Sequence, residues 1–225
     1  MLSAKFENLI LVIQALLPSH WNLFLQFTFW ILAAATTIQL VYYLIFYARA
    51  WKSQPKKHSG EYPPVSVVIA ARNEAENLRN FLPAVLEQDY PVYQIVVIDD
   101  ASTDNTSDVL SQMREKYPAL YTTYIPHDPN HHVGKKLALT VGIKAAKHDQ
   151  LLFTDADCRP ASANWIKHMM DARGPSANFV LGVSPYQRRR GILNRLVRWD
   201  TVFIAMQYIG FARAGVPYMG VGRNL

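Results

Sequence analysis

Between Asn8 and Ala48 the chain contains no aspartate, glutamate, lysine or arginine. Within that run, Trp21 to Tyr47 exceeds the roughly 20 apolar residues needed to span a bilayer. A buried core helix rarely runs so far without a charge. A cleavable signal peptide fits poorly, because the apolar segment is too long, starts too far in and lacks a small-x-small cleavage site. Trp21, Trp30, Tyr42, Tyr43, Tyr47 and Trp51 include aromatics placed where interfacial belts are expected. The reading is a transmembrane helix over 21–48. Ahead of it lies an apolar segment, 1–20, in which Asn8 to Leu17 is too short to span and Pro18 breaks the pattern; an interfacial position suits it.

Flanking charge gives an orientation. Arg49, Lys52, Lys56 and Lys57 follow the apolar run, in a basic linker over 49–63, while Lys5 stands alone before it. The positive-inside rule then places everything after Trp51 in the cytoplasm. The net charge of +6 comes partly from this collar and partly from Arg188-Arg189-Arg190. Such clusters favour anionic head groups at a membrane surface. Nucleic acid is not an expected partner, because no stripe of interleaved basic and aromatic residues accompanies the pI near 9.4. One cysteine, Cys158, excludes an intramolecular disulfide and suits a reducing compartment.

From Val65 the pattern changes. Val65 to Ala70 and Tyr93 to Ile98 are β-branched apolar runs, followed by strands at Tyr121 to Ile125 and from Leu151. Helical spacing fills the intervals: Glu74 to Leu86, which Asn73 can cap, then Ser107 to Lys116, with Asp104 or Thr106 near its start, then Lys135 to Ala146. Strands separated by helices of this length imply βαβ crossovers and a mainly parallel α/β sheet. Neither a repeat nor a low-complexity tract interrupts it.

In such a sheet all strand carboxyl ends fall on one edge, where open α/β folds bind ligands. That edge collects Ala70 to Glu74, Asp99-Asp100 and Asp155-Ala156-Asp157. Singly, each acid has an ordinary explanation as a helix cap or turn residue. Together they suggest a site where a hard divalent cation is held by one or two carboxylates plus substrate phosphates. Lys135 and Lys136 follow Gly134 at a helix start, which also favours anions. His127, His131 and His132 lack metal-ligand spacing and read as a loop.

Four motifs carry a resemblance. VSVVIAARNE from Val65, IDDASTDNT from Ile98, GKKLAL from Gly134 and TDAD from Thr154 resemble, in order and separation, the family 2 glycosyltransferases. The resemblance runs over 64–225, and the helix ahead of it looks like that of bacterial membrane-bound members. It implies a GT-A fold, a UDP- or GDP-sugar donor, Mg²⁺ or Mn²⁺, a lipid or glycan acceptor and inversion at the anomeric carbon. It further implies that Ala70, Arg72, Asn73 and Glu74 form the first-strand side of the donor site, Ala70 and Glu74 lining the nucleobase pocket. Asp99, with Asp100 beside it, matches the acid that contacts base or ribose, and Lys135 or Lys136 the basic position near the donor. Asp155, followed by Ala156, would face the ribose or the metal, and Asp157 would ligate the metal. Many members carry proline where this chain has Ala70, a departure affecting loop stiffness more than chemistry.

Past the metal motif, Asn164 to Asp171 reads as a helix and Phe179 to Val183 as a strand. Gly191 to Ala212 has helical spacing but includes Arg195, Arg198 and Asp200, so core or membrane-surface packing suits it better than a span. The family's later acidic base motif and its Gln-x-x-Arg-Trp segment are absent before Leu225, and Asp200 lies in an apolar helical pattern rather than at a strand end. The expectation is therefore an anchor and donor half, with the catalytic base beyond Leu225. Two alternatives accompany it: a non-catalytic nucleotide-sugar-binding membrane protein, and a sugar nucleotidyltransferase, which usually has a glycine-rich loop where Ala70 to Asn77 has no glycine.

Overall fold

Four apolar runs become four parallel strands. The structure, a computed structural model, describes residue 12 and residues 19–51, 60–127, 134–173 and 179–221. Apart from Val12, the apolar stretch at Asn8 to Leu17 lies outside the described residues, as do Lys52, Lys56, Lys57, His131 and His132. In chain order the elements are α1 (Ser19–Trp51), β1 (Val65–Ala71), α2 (Ala75–Leu86), β2 (Tyr93–Asp100), α3 (Thr106–Lys116) and β3 (Leu120–Ile125). They continue with α4 (Lys135–Ala145), β4 (Gln150–Phe153), α5 (Trp165–Ala172) and α6 (Ile192–Arg213). The sheet order is β3-β2-β1-β4, every neighbouring pair parallel.

Strand alternation divides the core into two layers. Val65, Val67, Ile69, Ala71, Ile95 and Val97 face α2, α3 and α5, meeting Leu78, Leu82, Val109 and Ile166. Val68, Val96 and Ile98 face α4 and meet Ala138. Strands buried on both faces read as continuous apolar runs, which is why periodicity located them.

Two local expectations are corrected. Phe179 to Val183 is not a strand; 179–189 run without regular structure beside α6. The run packs by its side chains and loop contacts instead: Val180 lies against the larger core layer, and the Gly182 carbonyl accepts from the Tyr208 hydroxyl at 3.3 Å. Asn73 does not cap α2: Glu74 is the cap residue, and the first-turn amides are served from another loop. Asp104 and Thr106 do lie at the start of α3, where Asp104 Oδ1 accepts from the Thr106 amide, while Asn105 occupies the cap position without a side-chain cap bond.

α1 contains the one helix segment among the described residues long and apolar enough to cross a membrane, the 26-residue Leu23–Ala48, whose 18-residue apolar window has a mean hydropathy of 1.8 and no buried residue. α1 is joined by α6. Phe46 and Phe211 stack with centroids 4.1 Å apart, and Arg213 Nη1 donates to the Ala50 carbonyl at 2.9 Å. At Gly210 an added Cβ would run into the Phe46 backbone, so glycine permits the two helices to touch.

Candidate active site at the carboxyl edge of the sheet

The chain runs outward from β1 through β2 to β3, then crosses back to place β4 on the other side of β1. This reversal opens a crevice at the carboxyl ends of β1 and β4, the position where doubly wound sheets take ligands. β1 delivers Ala70 to Glu74 to it, β4 delivers Asp155 to Asp157, and β2 ends beside them in Asp99-Asp100. The sheet thus gathers the three clusters on one edge.

A hydrogen-bond lattice fixes the loops. Asn73 is left-handed (φ 55°), a conformation asparagine tolerates better than most residues. Its amide donates to Ser102 Oγ at 2.9 Å, and its Oδ1 accepts from the Thr103 amide at 2.7 Å. The Glu74 amide donates to Thr106 Oγ1 at 2.9 Å and the Ala75 amide to Asp104 Oδ2 at 3.2 Å. Asp104 Oδ1 also accepts from the Thr106 amide and hydroxyl. These donors, led by the Thr106 hydroxyl, hold the Asp104 carboxyl below its usual range. The β2–α3 loop therefore caps α2. The Glu74 carboxylate turns toward its own first turn, accepting from Asn77 Nδ2 at 2.6 Å.

Successive strand residues point to opposite faces, which separates the paired acids. Asp99 continues the row of Ile95 and Val97, and its Oδ1 accepts from the Ser102 amide at 3.0 Å. Asp100 continues the row of Val96 and Ile98 on the α4 face. It is buried, and among the described residues its Oδ1 has no hydrogen-bond partner. Burial raises its carboxyl above the ordinary value; the Arg72 charge lowers it, and Asp99 raises it again. An acceptor held out of water without a donor is costly unless something arrives to satisfy it. Ala70 lies half-buried over the same layer, and Arg72 is exposed.

Across the crevice, Lys135 in the first turn of α4 forms an ion pair with Asp155. Lys135, not Lys136, makes this bond; Lys136 is exposed next to it. Ala156 is buried in the larger core layer and Asp157 is exposed. Ligand atoms of Asp155, Asp157 and Cys158 lie within 4.8 Å of one another. Two carboxylates suit a hard dication that completes its shell with water and phosphate oxygens. Burial, with both aspartates nearby, raises the Cys158 thiol above its ordinary value. It therefore stays neutral and is a poor competitor for a hard ion. The residues fit Mg²⁺ or Mn²⁺.

Sequence reasoning did not single out Ser102, Thr103 or Cys158 for this site. The lattice residues all lie in the motif around Asp99, but nothing in their spacing says which amide each would reach. Of the histidines, His127 is exposed at the end of β3 and outside the cluster.

Comparison with known proteins gives the family and the fold. Residues 66–212 match the family described as "Glycosyl transferase family 2". A curated relative, 4,4'-diaponeurosporenoate glycosyltransferase of Staphylococcus haemolyticus, is 33% identical over 129 residues, covering 56% of this chain and 33% of the relative. A poly-beta-1,6-N-acetyl-D-glucosamine synthase of Staphylococcus epidermidis is 31% identical over 93 residues, covering 41% of this chain and 21% of its own. The chain thus spans a third or less of these relatives. Among solved structures, a mannosyltransferase from Pyrobaculum calidifontis in complex with GDP-Man and Mn²⁺ superposes with a TM-score of 0.52 and 27% identity. That superposition covers 69% of this chain and 46% of the mannosyltransferase, and it identifies the fold as GT-A.

Proposed function

The chain belongs to glycosyl transferase family 2, and on that premise we propose that it carries the donor site of a membrane-anchored, inverting, metal-dependent glycosyltransferase. The donor is a UDP- or GDP-sugar and the acceptor a hydroxyl of a lipid or glycan. α1 anchors it in a bacterial inner membrane with the sheet on the cytoplasmic side.

One arrangement carries the reading: the ligand atoms of Asp155 and Asp157 lie together, Lys135 pairs with Asp155, and β2 ends in Asp100 on the same carboxyl edge of the sheet. Asp157, with Asp155, would hold Mg²⁺ or Mn²⁺. When bound, the ion acts as a Lewis acid and offsets charge developing on a departing nucleoside diphosphate. The remaining work falls to this chain's own groups. Asp99 and Asp100 accept hydrogen bonds from the base or ribose, and a donor hydroxyl or N–H gives the orphaned Asp100 Oδ1 its partner. Lys135, paired with Asp155, adds a positive charge beside the diphosphate. The lattice through Asn73, Asp104 and Thr106 fixes both loops beforehand, so less ordering entropy is lost on binding. We assign the base that deprotonates the acceptor to none of these residues, since all lie on the donor side.

The test is calorimetric titration of the full chain, in detergent, with UDP, UDP-sugars and GDP-sugars, with and without Mn²⁺. Binding that requires the ion and is lost in Asp157→Ala, with melting unchanged, supports the assignment. Equal binding by Asp157→Ala overturns the metal role. Binding of no nucleotide by a folded chain overturns the donor site.

A further inference from the structure

α6 presents a second surface, remote in character from the acidic edge. Ile192, Leu196, Trp199, Phe203, Met206 and Gly210 recur at spacings of four and three, so they share one helical face. At one end this face is the contact with α1: Gly210 abuts the Phe46 backbone, and Phe203 meets Tyr47 edge-on at 5.7 Å. Phe46 and Tyr47 lie at the close of the apolar segment Leu23–Ala48, where a span would leave the hydrocarbon. Away from that contact the same stripe is bare. Ile192 is 75% exposed, Leu196 57% and Trp199 65%, while the opposite face buries Ala205 and Tyr208 in the protein.

At the far end, about 27 Å from Gly210 at 1.5 Å per residue, stands a cluster of arginines. Arg188, Arg189, Arg190, Arg195 and Arg198 line a cavity of about 520 Å³ with Gly191, and no carboxylate lines it. Gly191 sits at φ 113°, a backbone setting that glycine alone adopts readily, and is the cap residue of α6. The loop is tied down: the Arg189 amide donates to Asn194 Oδ1 at 2.8 Å, and Asn194 Nδ2 donates to the Gln187 carbonyl at 3.1 Å. Arg198 Nε is buried and, among the described residues, has no partner. Five guanidinium groups around one cavity at a helix N-terminus repel each other unless an anion joins them, and guanidinium forks match phosphate oxygens.

Resting on the reading of α1 as a membrane anchor, we propose that α6 lies in the surface of the same bilayer, its apolar stripe in the acyl boundary and its arginine cavity closed on anionic phospholipid head groups. Two features select a bilayer over a soluble phosphate. The bare stripe is continuous with the face already packed on the membrane helix, and apolar residues flanked by arginines are the composition of interfacial helices. α6 would then fix the height of the catalytic sheet above the membrane.

The test uses the full chain in nanodiscs, in a Cys158→Ser background, with single spin labels at Leu196→Cys, Ile38→Cys and Glu115→Cys. Accessibility to oxygen and to a water-soluble nickel complex reads lipid against water at each site. In discs containing phosphatidylglycerol, position 196 is expected to match position 38 and not position 115. Replacing Arg188, Arg189, Arg190 and Arg195 by glutamine should move 196 toward the aqueous signature and leave 38 unchanged, and Arg195→Gln alone should do so less. Position 196 aqueous with 38 in lipid overturns the inference while the anchor stands. Position 38 aqueous overturns the anchor reading, and the inference with it. A lipid signature at 196 indifferent to the arginines overturns the head-group grip. Displacement of 196 by inorganic phosphate assigns the cavity to a soluble anion instead and overturns it too.

Discussion

The two edges of the sheet use buried polar groups in opposite ways. At the amino edge Ser66 and Gln94 are buried between β1, β2 and the loop before β4. Ser66 Oγ donates to Gln94 Oε1 at 3.0 Å and accepts from the His148 amide at 3.2 Å; Gln94 Oε1 also accepts from the Lys147 amide at 2.9 Å. Neutral groups there tie a loop to the sheet. At the carboxyl edge the groups are charged, and Asp100 Oδ1 is left without a donor among the described residues. Gln94 Nε2 is also unpartnered among them, but it is a neutral amide and costs less to bury than a carboxylate. The fold is stitched at one edge and left wanting a ligand at the other.

Substitutions at the two edges should separate affinity from stability. The largest effect is expected at Asp157→Ala: metal-dependent nucleotide-sugar binding should fall by at least about 100-fold, beyond the roughly 10–100-fold typical of losing a residue that only supports a metal ligand. Calorimetry reads the affinity and a melt shows whether the fold persists. Ser66→Ala should do the reverse. It removes a partner from buried Gln94 and from the half-buried His148 amide and should cost about 1–3 kcal/mol in chemical denaturation, with nucleotide affinity unchanged; a loss of affinity would erase the distinction between the edges.

Asp100→Asn tests the carboxyl edge by pH. Asp100 has a folded value raised above its ordinary value of 3.8, so the folded state holds the proton more tightly. Its neutral form favours folding at low pH, and that stability is lost as pH rises through the folded value. The substituted asparagine cannot ionise. The melting temperature of Asp100→Asn relative to the native chain should therefore rise from acid toward neutral pH, while nucleotide affinity falls. A pH-independent difference would mean that burial does not raise the Asp100 carboxyl. The smallest stability change is expected at Lys135→Gln, whose lysine is 55% exposed. An exposed ion pair contributes about 0–1 kcal/mol, so a melt should barely move, whereas donor binding should weaken.

Much of this is legible in the chain. β-Branched apolar runs locate β1 and β2, because a strand buried on both faces has few compositions open to it; shorter runs locate β3 and β4, and the acids at the strand ends mark the carboxyl edge. Asp155 and Asp157 reach one small volume, as their spacing suggests, because Ala156 is small enough to enter the core between them. The errors arise where partners come from far along the chain. Asn73 has the composition of a cap for α2, yet that helix is capped by Asp104 and Thr106 from the next loop. Phe179 to Val183 has a strand's composition, yet it packs against the core and Tyr208 of α6 without joining the sheet.

Local periodicity and parallel connection suffice to specify the apolar helix, the alternation of strands and helices, and the chemical types gathered at the strand ends. Packing was needed to choose which lysine meets Asp155 and to strand Asp100 Oδ1. It also carries one face of α6 from its contact with α1 into the open. Those outcomes depend on distances between residues far apart in the chain, and such distances exist only once the layers have packed.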